Sequence, residues 1–559
     1  MRYSRANLFH TMPPRRGRVR RETAAPSCLD PLSRLNHDVI HMILSYLNIH
    51  EIFRLELVSR TWRDTVREWM RRFGTRYLVQ PTWHPQKTEP MKALPYEEFR
   101  KHARTIHRTQ AGLLCSAHKF EDTAFFSVGG QYAVWVLESD ASNRRQHHHP
   151  IYSKPSDMIY WRSMAADGPK LAIKTVSAAR LWRVGSSEGV AVQSLLLNED
   201  GVLYVSLKYG HPHPRGERDV VYSLAQDRIL WSRDRDMYSP RSFMPFAIGT
   251  SHVYAAYYSR AEHRFVLVAE DFRTDKRRYA SSRNLPSNWP SAYPHFHDFQ
   301  SFGIEFARVV RISETGEELI LQLKPSGDGS TCEIEIIRGS DGTLLGCVPC
   351  TGGTGLNCAA SHPPTGHVAF TTEVTRLPVK VHAALADFGR YRVFVTRRFS
   401  CTSSSDGLRL VSLDVVLVHK DWLIRPNYRL ESLVVIDPFN RTAYVSSAQK
   451  PSENHSNSSW TLWSCPLIRT HDSGLCDAAL GAIPNEFVDT NNTDDSAVVS
   501  RCYVLDEGSK VTLPAKLEKG RKKREALELP EPMGIWYGRV VGDQVSLFLE
   551  DDHYILNFI

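Results

Sequence analysis

Hydrophobic and polar positions change their rhythm about a fifth of the way along the chain. In "LNHDVIHMILSYL" (Leu35 to Leu47) the apolar residues Val39, Ile40, Met42, Ile43, Leu44, Tyr46 and Leu47 spread over an arc of about 200° when placed on a helix. A surface helix usually needs an apolar stripe of about 100°. This helix therefore carries about twice the apolar surface that one core requires. Asn36 is its expected N-cap, with Asp38 in the first turn. Asn48 breaks the pattern, and Glu51 gives a capping-box-like start to a second helix with Ile52, Leu55 and Val58 inward. Ser59 caps a third, on which Trp62, Val66, Trp69 and Phe73 share one face. Residues 74–94, with Pro81, Pro85 and Pro90, are expected to link. A connecting helix is predicted from Pro95 to about Arg108, with Tyr96, Phe99, Ala103 and Ile106 on one face.

From about residue 111 the helical period disappears. Short β-branched and aromatic runs alternate with Gly, Asp, Asn and Ser. One pattern, apolar run, polar turn, apolar run, returns in "VWVLESD", "LWRVGSSEGVAV", "VYSLAQDRILW", "VLVAEDFRTDKRRY", "IEIIRGSDGTLLG", "HAALADFGRYRVFV" and "LVVIDPFNRTAYV". Most starts lie 40 to 51 residues apart, the length of one four-stranded propeller blade. One longer step leaves room for an insertion around "NLPSNWPSAYPHFHDF". The chain ends on "VSLFLEDDHYILNF", two strands and a turn suited to completing a last blade. The expected fold class is α+β multidomain: a small three-helix unit, then a large all-β propeller-like domain of about seven blades. The expected divisions are a basic disordered tail at 1–27, the helices at 28–73, the link and connecting helix at 74–110, and the propeller at 111–559. Trp135, Trp182, Tyr222, Trp231, Tyr444 and Trp536 are expected between blades.

Composition narrows the function classes. In 559 residues, 23% are charged and no apolar run approaches the length of a membrane span. No secretory h-region precedes the helices and the ten cysteines are scattered. Both favour a reducing compartment, cytoplasmic or nuclear. The net charge of +9 concentrates in two runs, Arg15–Arg21 and Lys519–Arg524. Either run could serve nuclear import or anion binding, and the first also has transit-peptide composition, but solvated disordered charge is the simplest reading of each.

Candidate chemistry is sparse. Cys347 and Cys350 have CxxC spacing, with Cys358, His362 and His367 following, yet the spacing fits no standard zinc site. A Gly-rich loop with incidental thiols is the expected setting. His295, His297 and Asp298 would be a minimal metal set, and a packed loop is the simpler reading. The "ADFGR" stretch stands without its kinase companions, and no nucleophile elbow or phosphate-binding loop is present. No cofactor is expected.

The ordered set of N-terminal residues resembles the F-box. Leu35 and Asp38 match its opening, Ile43, Leu44 and Leu47 its first helix, Ile52 and Leu55 its second, and Val58, Ser59, Arg60 and Trp62 the "VSRTW" signature. Asn36 stands where the family usually has proline, and Asp38 where it usually has glutamate. The resemblance implies docking on a Skp-type adaptor and a cullin scaffold, with the C-terminal domain choosing a protein substrate for ubiquitination. It assigns adaptor binding to Leu35, Asn36, Ile40, Ile43, Leu44, Leu47, Ile52, Leu55, Val58 and Trp62. The chain would then be a non-catalytic receptor subunit. Abundant arginine in the propeller would suit an acidic or phosphorylated substrate. The residues agree independently: 21 large apolar side chains within 29–73 are too many for so small a unit to bury alone. Two other classes stay open, a propeller enzyme or cofactor binder with an incidental helical N-terminus, and an RNA-binding scaffold. No RNA-recognition motif supports the latter.

Overall fold

The computed structural model describes residues 35–47, 49–73, 95–138, 155–164, 173–183, 189–209, 216–235, 244–259, 264–284, 307–312, 315–325, 331–351, 356–362, 367–374, 391–401, 408–419, 433–448, 460–470, 499–506, 508–514, 516–518, 521–529, 536–541, 544–549 and 552–558. The chain divides into two compact units, Met1–Gly74 and Thr75–Ile559.

The first unit holds three helices: α1 (His37–Tyr46), α2 (Ile49–Leu55) and α3 (Arg60–Phe73). Asn36 caps α1 as expected, its side chain accepting from the Asp38 amide at 3.4 Å. Ser59 caps α3 by accepting from the Trp62 amide at 3.2 Å. Helix α1 packs on α3 through His41, whose ring lies edge-on to Phe73 at 4.2 Å and tilted to Trp69 at 6.0 Å. Asn48 lies outside the described residues, so its part in separating α1 from α2 does too.

The second unit opens with α4 (Tyr96–Gln110), two residues longer than its pattern predicts. Phe99 and Ala103 are buried, as the stripe requires. The helix is fastened to strands on its way out: Ser464 Oγ donates to the Thr109 carbonyl, Gln110 Nε2 to Asn440 O at 3.3 Å, and Thr512 N to Gly112 O at 2.8 Å. Gly112 has φ +63, and a Cβ there would stand 2.8 Å from the Lys510 carbonyl, so this exit needs glycine.

Five four-stranded antiparallel sheets follow the blade pattern. Blade I is Thr123–Gly129, Tyr132–Glu138, Pro155–Ser163 and Lys174–Ser177. Blade II is Val190–Leu197, Val202–Tyr209, Gly216–Ser223 and Arg228–Arg235. Blade III is Met244–Ile248, His252–Ser259, Arg264–Asp271 and Lys276–Asn284. Blade IV is Ala307–Arg311, Glu318–Pro325, Thr331–Arg338 and Leu344–Thr351. The closing blade takes Trp536–Val541, Gln544–Leu549 and Asp552–Asn557 from the C-terminal part and Ser116–Phe120 from the N-terminal part, in register Ser116 with Asn557 through Phe120 with His553.

The expectation of about seven blades is corrected to five. The remaining major strands form one ten-stranded sheet. Its two halves, Leu356–His362 through Leu408–His419 and Val434–Asp437 through Trp460–Arg469, are joined by Val499–Leu505. That strand pairs parallel with Leu408–His419 and antiparallel with Trp460–Arg469. The seam merges what would otherwise be separate blades.

Three of the recurring hairpins share one turn. Ser223, Asp271 and Asp437 each accept backbone N–H groups two or three residues on, and the fifth residue, Asp227, Asp275 or Arg441, has φ between 51 and 56. A short polar side chain closes the turn and lets the last residue enter the left-handed region. The "LWRVGSSEGVAV" segment instead begins at the end of a short helix, Ala178–Trp182, and finishes in the first strand of blade II. Ser177 caps it through the Arg180 amide and Arg183 ends it in the left-handed region, which displaces the predicted hairpin.

Aromatic and β-branched side chains fill the spaces between sheets. Trp135, Tyr222 and Tyr444 are buried, Trp182 and Trp231 half-buried, and the Trp536 side chain lies outside the described residues. Phe120, Trp135 and Ile555 share a core between the closing blade and blade I. Leu547, Leu556 and Phe558 share another with Val435, Tyr444 and Leu462 of the ten-stranded sheet.

His553 stacks on Phe126 with ring centroids 4.5 Å apart, and its Nδ1 lies 2.7 Å from Thr123 Oγ1. Burial pulls its imidazole down to about 4. His118 in the same blade is also held near 4, by burial first and then by the Arg162 charge. An unfolded histidine takes its proton near pH 6.5, the native His553 only near 4, so acidification through that window favours unfolding. Denaturant titrations at pH 7 and at pH 4 are expected to show a loss of up to about 3 kcal/mol attributable to His553. His553→Gln is expected to flatten that part of the profile, leaving the slope that His118 contributes.

Candidate functional site

Helix α1 resolves its 200° of apolar surface into two stripes. Ile40 and Leu44, four residues apart, are buried, with Leu47 half-buried on the same side. Val39, Met42, Ile43 and Tyr46 follow i, i+3, i+4 and i+7 and form the second stripe, which faces solvent. Met42 is 52% and Tyr46 83% exposed. Leu35 precedes the stripe and is also exposed.

The turn after α2 adds to this population. Val58 and Leu57 donate their amides to Leu55 O and Arg54 O, closing a tight turn. The turn leaves Leu57 77% and Val58 61% exposed, while Ile52 and Phe53 behind it are buried. Among the described residues nine large hydrophobic side chains are exposed, and seven of them lie between Leu35 and Val58. Scattered exposed apolar residues are ordinary, but such a concentration within one small unit marks an interaction surface.

The ten residues assigned from sequence therefore separate. Leu35, Ile43 and Val58 are exposed, and Asn36 is an exposed cap. Leu47, Leu55 and Trp62 are half-buried. Ile40, Leu44 and Ile52 are buried and belong to the packing that holds the helices, with Val66, Trp69 and Met70 of α3. Val39, Met42, Tyr46 and Leu57 join the exposed set although the motif did not single them out. The width of the apolar arc was the signal for the first three. Leu57 carried none beyond being apolar in a turn.

The remaining candidates fall elsewhere. Cys347 and Cys350 lie within the strand Leu344–Thr351, not in a loop. Cys347 Sγ is 3.5 Å from Glu333 Oε2. Among the described residues no group of three His, Cys, Asp or Glu is arranged to hold a metal. His295, His297, Asp298, the "ADFGR" stretch and the Arg15–Arg21 run lie outside the described residues. The second basic run is no simple tail: Arg521–Lys523 pairs with Lys516–Glu518 as a hairpin. No described helix is long and apolar enough to cross a membrane.

Comparison with known proteins adds one family match. Residues 32–73 match the F-box domain. No curated protein sequence matches the chain. Solved structures similar to it include the Dos1 propeller, at 6% identity over 81% of this chain and 97% of that one, TM-score 0.32. Hydrazine synthase of Kuenenia stuttgartiensis is 10% identical over 78% and 96% of the two chains, TM-score 0.34. The WD40 domain of SCAP from fission yeast is 8% identical over 79% and 98%, TM-score 0.30. The exposed apolar stripe of α1 and the Leu57–Val58 turn thus belong to an F-box domain, and the sheets that follow form a β-propeller-like domain.

Proposed function

We propose that this protein is the substrate-recognition subunit of a cullin–RING ubiquitin ligase. Its F-box would dock on a Skp-type adaptor, and its propeller-like domain would present a protein substrate. The observation that carries the reading is the seven exposed apolar side chains between Leu35 and Val58, lying inside the F-box match. Burying such a surface against a partner returns about 25 cal/mol per Å² of apolar area, and an unpartnered chain leaves that gain unused. F-box domains generally sit in non-catalytic adaptors, and we assign no catalytic step to this chain. An acidic or phosphorylated substrate suits its arginine content, and a cytoplasmic or nuclear setting suits its partners.

Co-purification with the Skp adaptor and cullin tests the reading, against a control receptor handled identically. Absence of association where the control binds overturns it. Stoichiometric metal or a cofactor absorbance band in the pure protein would favour a propeller enzyme instead. Met42→Glu combined with Tyr46→Glu is expected to weaken adaptor binding about tenfold or more, with stability changed by less than about 0.5 kcal/mol per site because both side chains are exposed. Leu44→Ala is expected to act oppositely, destabilising the helical unit by about 2–5 kcal/mol because Leu44 is buried. Denaturation of the isolated variants separates the two effects.

Asn36 gives a finer test. Its φ of −64° is the value a proline ring imposes. Asn36→Pro loses a long cap hydrogen bond but restricts the unfolded chain, and the two effects are of similar size. Stability is expected to change by less than about 1 kcal/mol, and adaptor binding to be kept or strengthened. Loss of binding in a folded Asn36→Pro protein would count against this docking mode.

A further inference from the structure

The turn shared by three of the hairpins carries different charge in each. Residues 223–230 and 437–444 hold one basic residue each, Arg228 and Arg441. The matching residues 271–278 of blade III hold four, Arg273, Lys276, Arg277 and Arg278, and all four are exposed. The turn itself uses none of these side chains. Asp271 closes it through the Arg273 and Thr274 amides, and Asp275 takes its left-handed position.

The acidic groups nearby are already engaged. Asp271 accepts the two turn amides at 2.8 and 3.2 Å, and Asp275 accepts the Trp231 indole N–H of blade II at 2.7 Å. Buried Glu270 lies 2.6 Å from Arg233 of blade II. Arg277 comes only within 3.4 Å of Glu270, with 41% of its own side chain exposed. Arg273 and Arg278 donate to backbone carbonyls, Thr250 at 3.1 Å and Ser340 of blade IV at 3.4 Å. Lys276 is in no ion pair among the described residues. The hairpin therefore carries positive charge that its own surroundings do not balance.

The strand Lys276–Asn284 ends the strand order of blade III. Its register shifts where Glu270 faces Arg277 and Ala269 faces Tyr279, so Arg278 is an extra residue. Such a bulge re-aims side chains and blunts the edge against another strand. Recognition at this end of the strand runs through side chains.

We propose that this hairpin docks an acidic segment of a partner protein, whose carboxylates pair with Lys276 and Arg278 beside Arg273 and Arg277. Charge complementarity favours a peptide over a nucleic acid. Asp275 is exposed, and Asp341, next to Ser340, is 49% exposed, so a continuous phosphate backbone would have to cross both. The inference rests on the proposed function for its setting, since it says where an acidic substrate segment would lie. The contact itself belongs to the second unit alone.

Fluorescence anisotropy of a labelled glutamate-rich peptide tests it, with the full chain and no adaptor present, so the outcome is separate from adaptor docking. The wild-type protein is expected to bind the peptide at low salt, to release it as salt rises, and to leave a glutamine-rich peptide of equal length unbound. Lys276→Gln combined with Arg278→Gln is expected to weaken binding about fivefold. The same loss of charge elsewhere, in the exposed pair Lys523→Gln and Arg524→Gln, is expected to weaken it less than about twofold. All four side chains are exposed, so both variants are expected to melt with the wild type. Absence of wild-type binding, or equal losses in the two variants, overturns the proposal. A single-stranded oligonucleotide that binds the wild type more tightly than the peptide, and loses that advantage in the first variant, overturns it in favour of a nucleic-acid site.

Discussion

The propeller-like domain depends on one pairing between distant segments. Ser116–Phe120 becomes the fourth strand of a blade whose other three strands lie near the C-terminus. Asn557 Nδ2 donates to Ser116 Oγ at 2.8 Å across 441 residues of chain. Closing a loop of that length costs about 5 kcal/mol beyond a constant, a cost that grows only logarithmically with chain length. The strand recovers it through five register positions and through apolar packing on both faces of its blade. Phe120 and Ile555 reach blade I, and Leu547, Leu556 and Phe558 reach the ten-stranded sheet. Without this strand an edge would lie open. Helix α4 precedes it directly, and the bonds from Thr109, Gln110 and Gly112 to the strand region hold the pairing segment in place.

Much of this architecture was legible in local chemistry. The strand–turn–strand repeats are real hairpins wherever a Ser or Asp stands at the turn start and a residue tolerant of the left-handed region follows four positions later. The fused sheet was not legible. Val499–Leu505 is an ordinary apolar strand in sequence, and nothing local says that its partner will be the parallel strand Leu408–His419. Parallel pairing between distant segments leaves no turn signal, so the blade count fell from seven to five. The Ala178–Trp182 helix was missed for the opposite reason. Its cap, Ser177, is one serine among many, and "LW" next to a Gly-Ser stretch has the texture of a hairpin.

The F-box illustrates a limit of a different kind. A family motif joins positions kept for packing with positions kept for contact, because both are apolar at helical spacing. Ile40, Leu44 and Ile52 hold the helices together, while Leu35, Ile43 and Val58 face outward, and the pattern alone ranks them equally. The arc width carried the missing information. A stripe of 100° is one interface, and 200° is two. Asn36 shows the converse, a departure from the family residue that preserves geometry: its backbone already has the φ of the absent proline.

The two units depart from ordinary protein economy in opposite directions. The helical unit leaves large apolar side chains in water, and the ten-stranded sheet takes guanidiniums out of it. The first arrangement is unfavourable for the chain alone and is not relieved by better packing of the helices present. An exposed Tyr46 cannot be buried by α1's own neighbours, which already cover Ile40 and Leu44. The buried charge is met at least in part inside the sheet, where Arg398 lies 3.3 Å from Asp414. When local rules fail and the surrounding structure offers no compensation, the compensating term lies in a second component. For the helical unit, an apolar protein surface is the component that its exposed stripe fits, and this is the place we propose for the adaptor. The chemistry of that violation specifies the chemistry of what completes it.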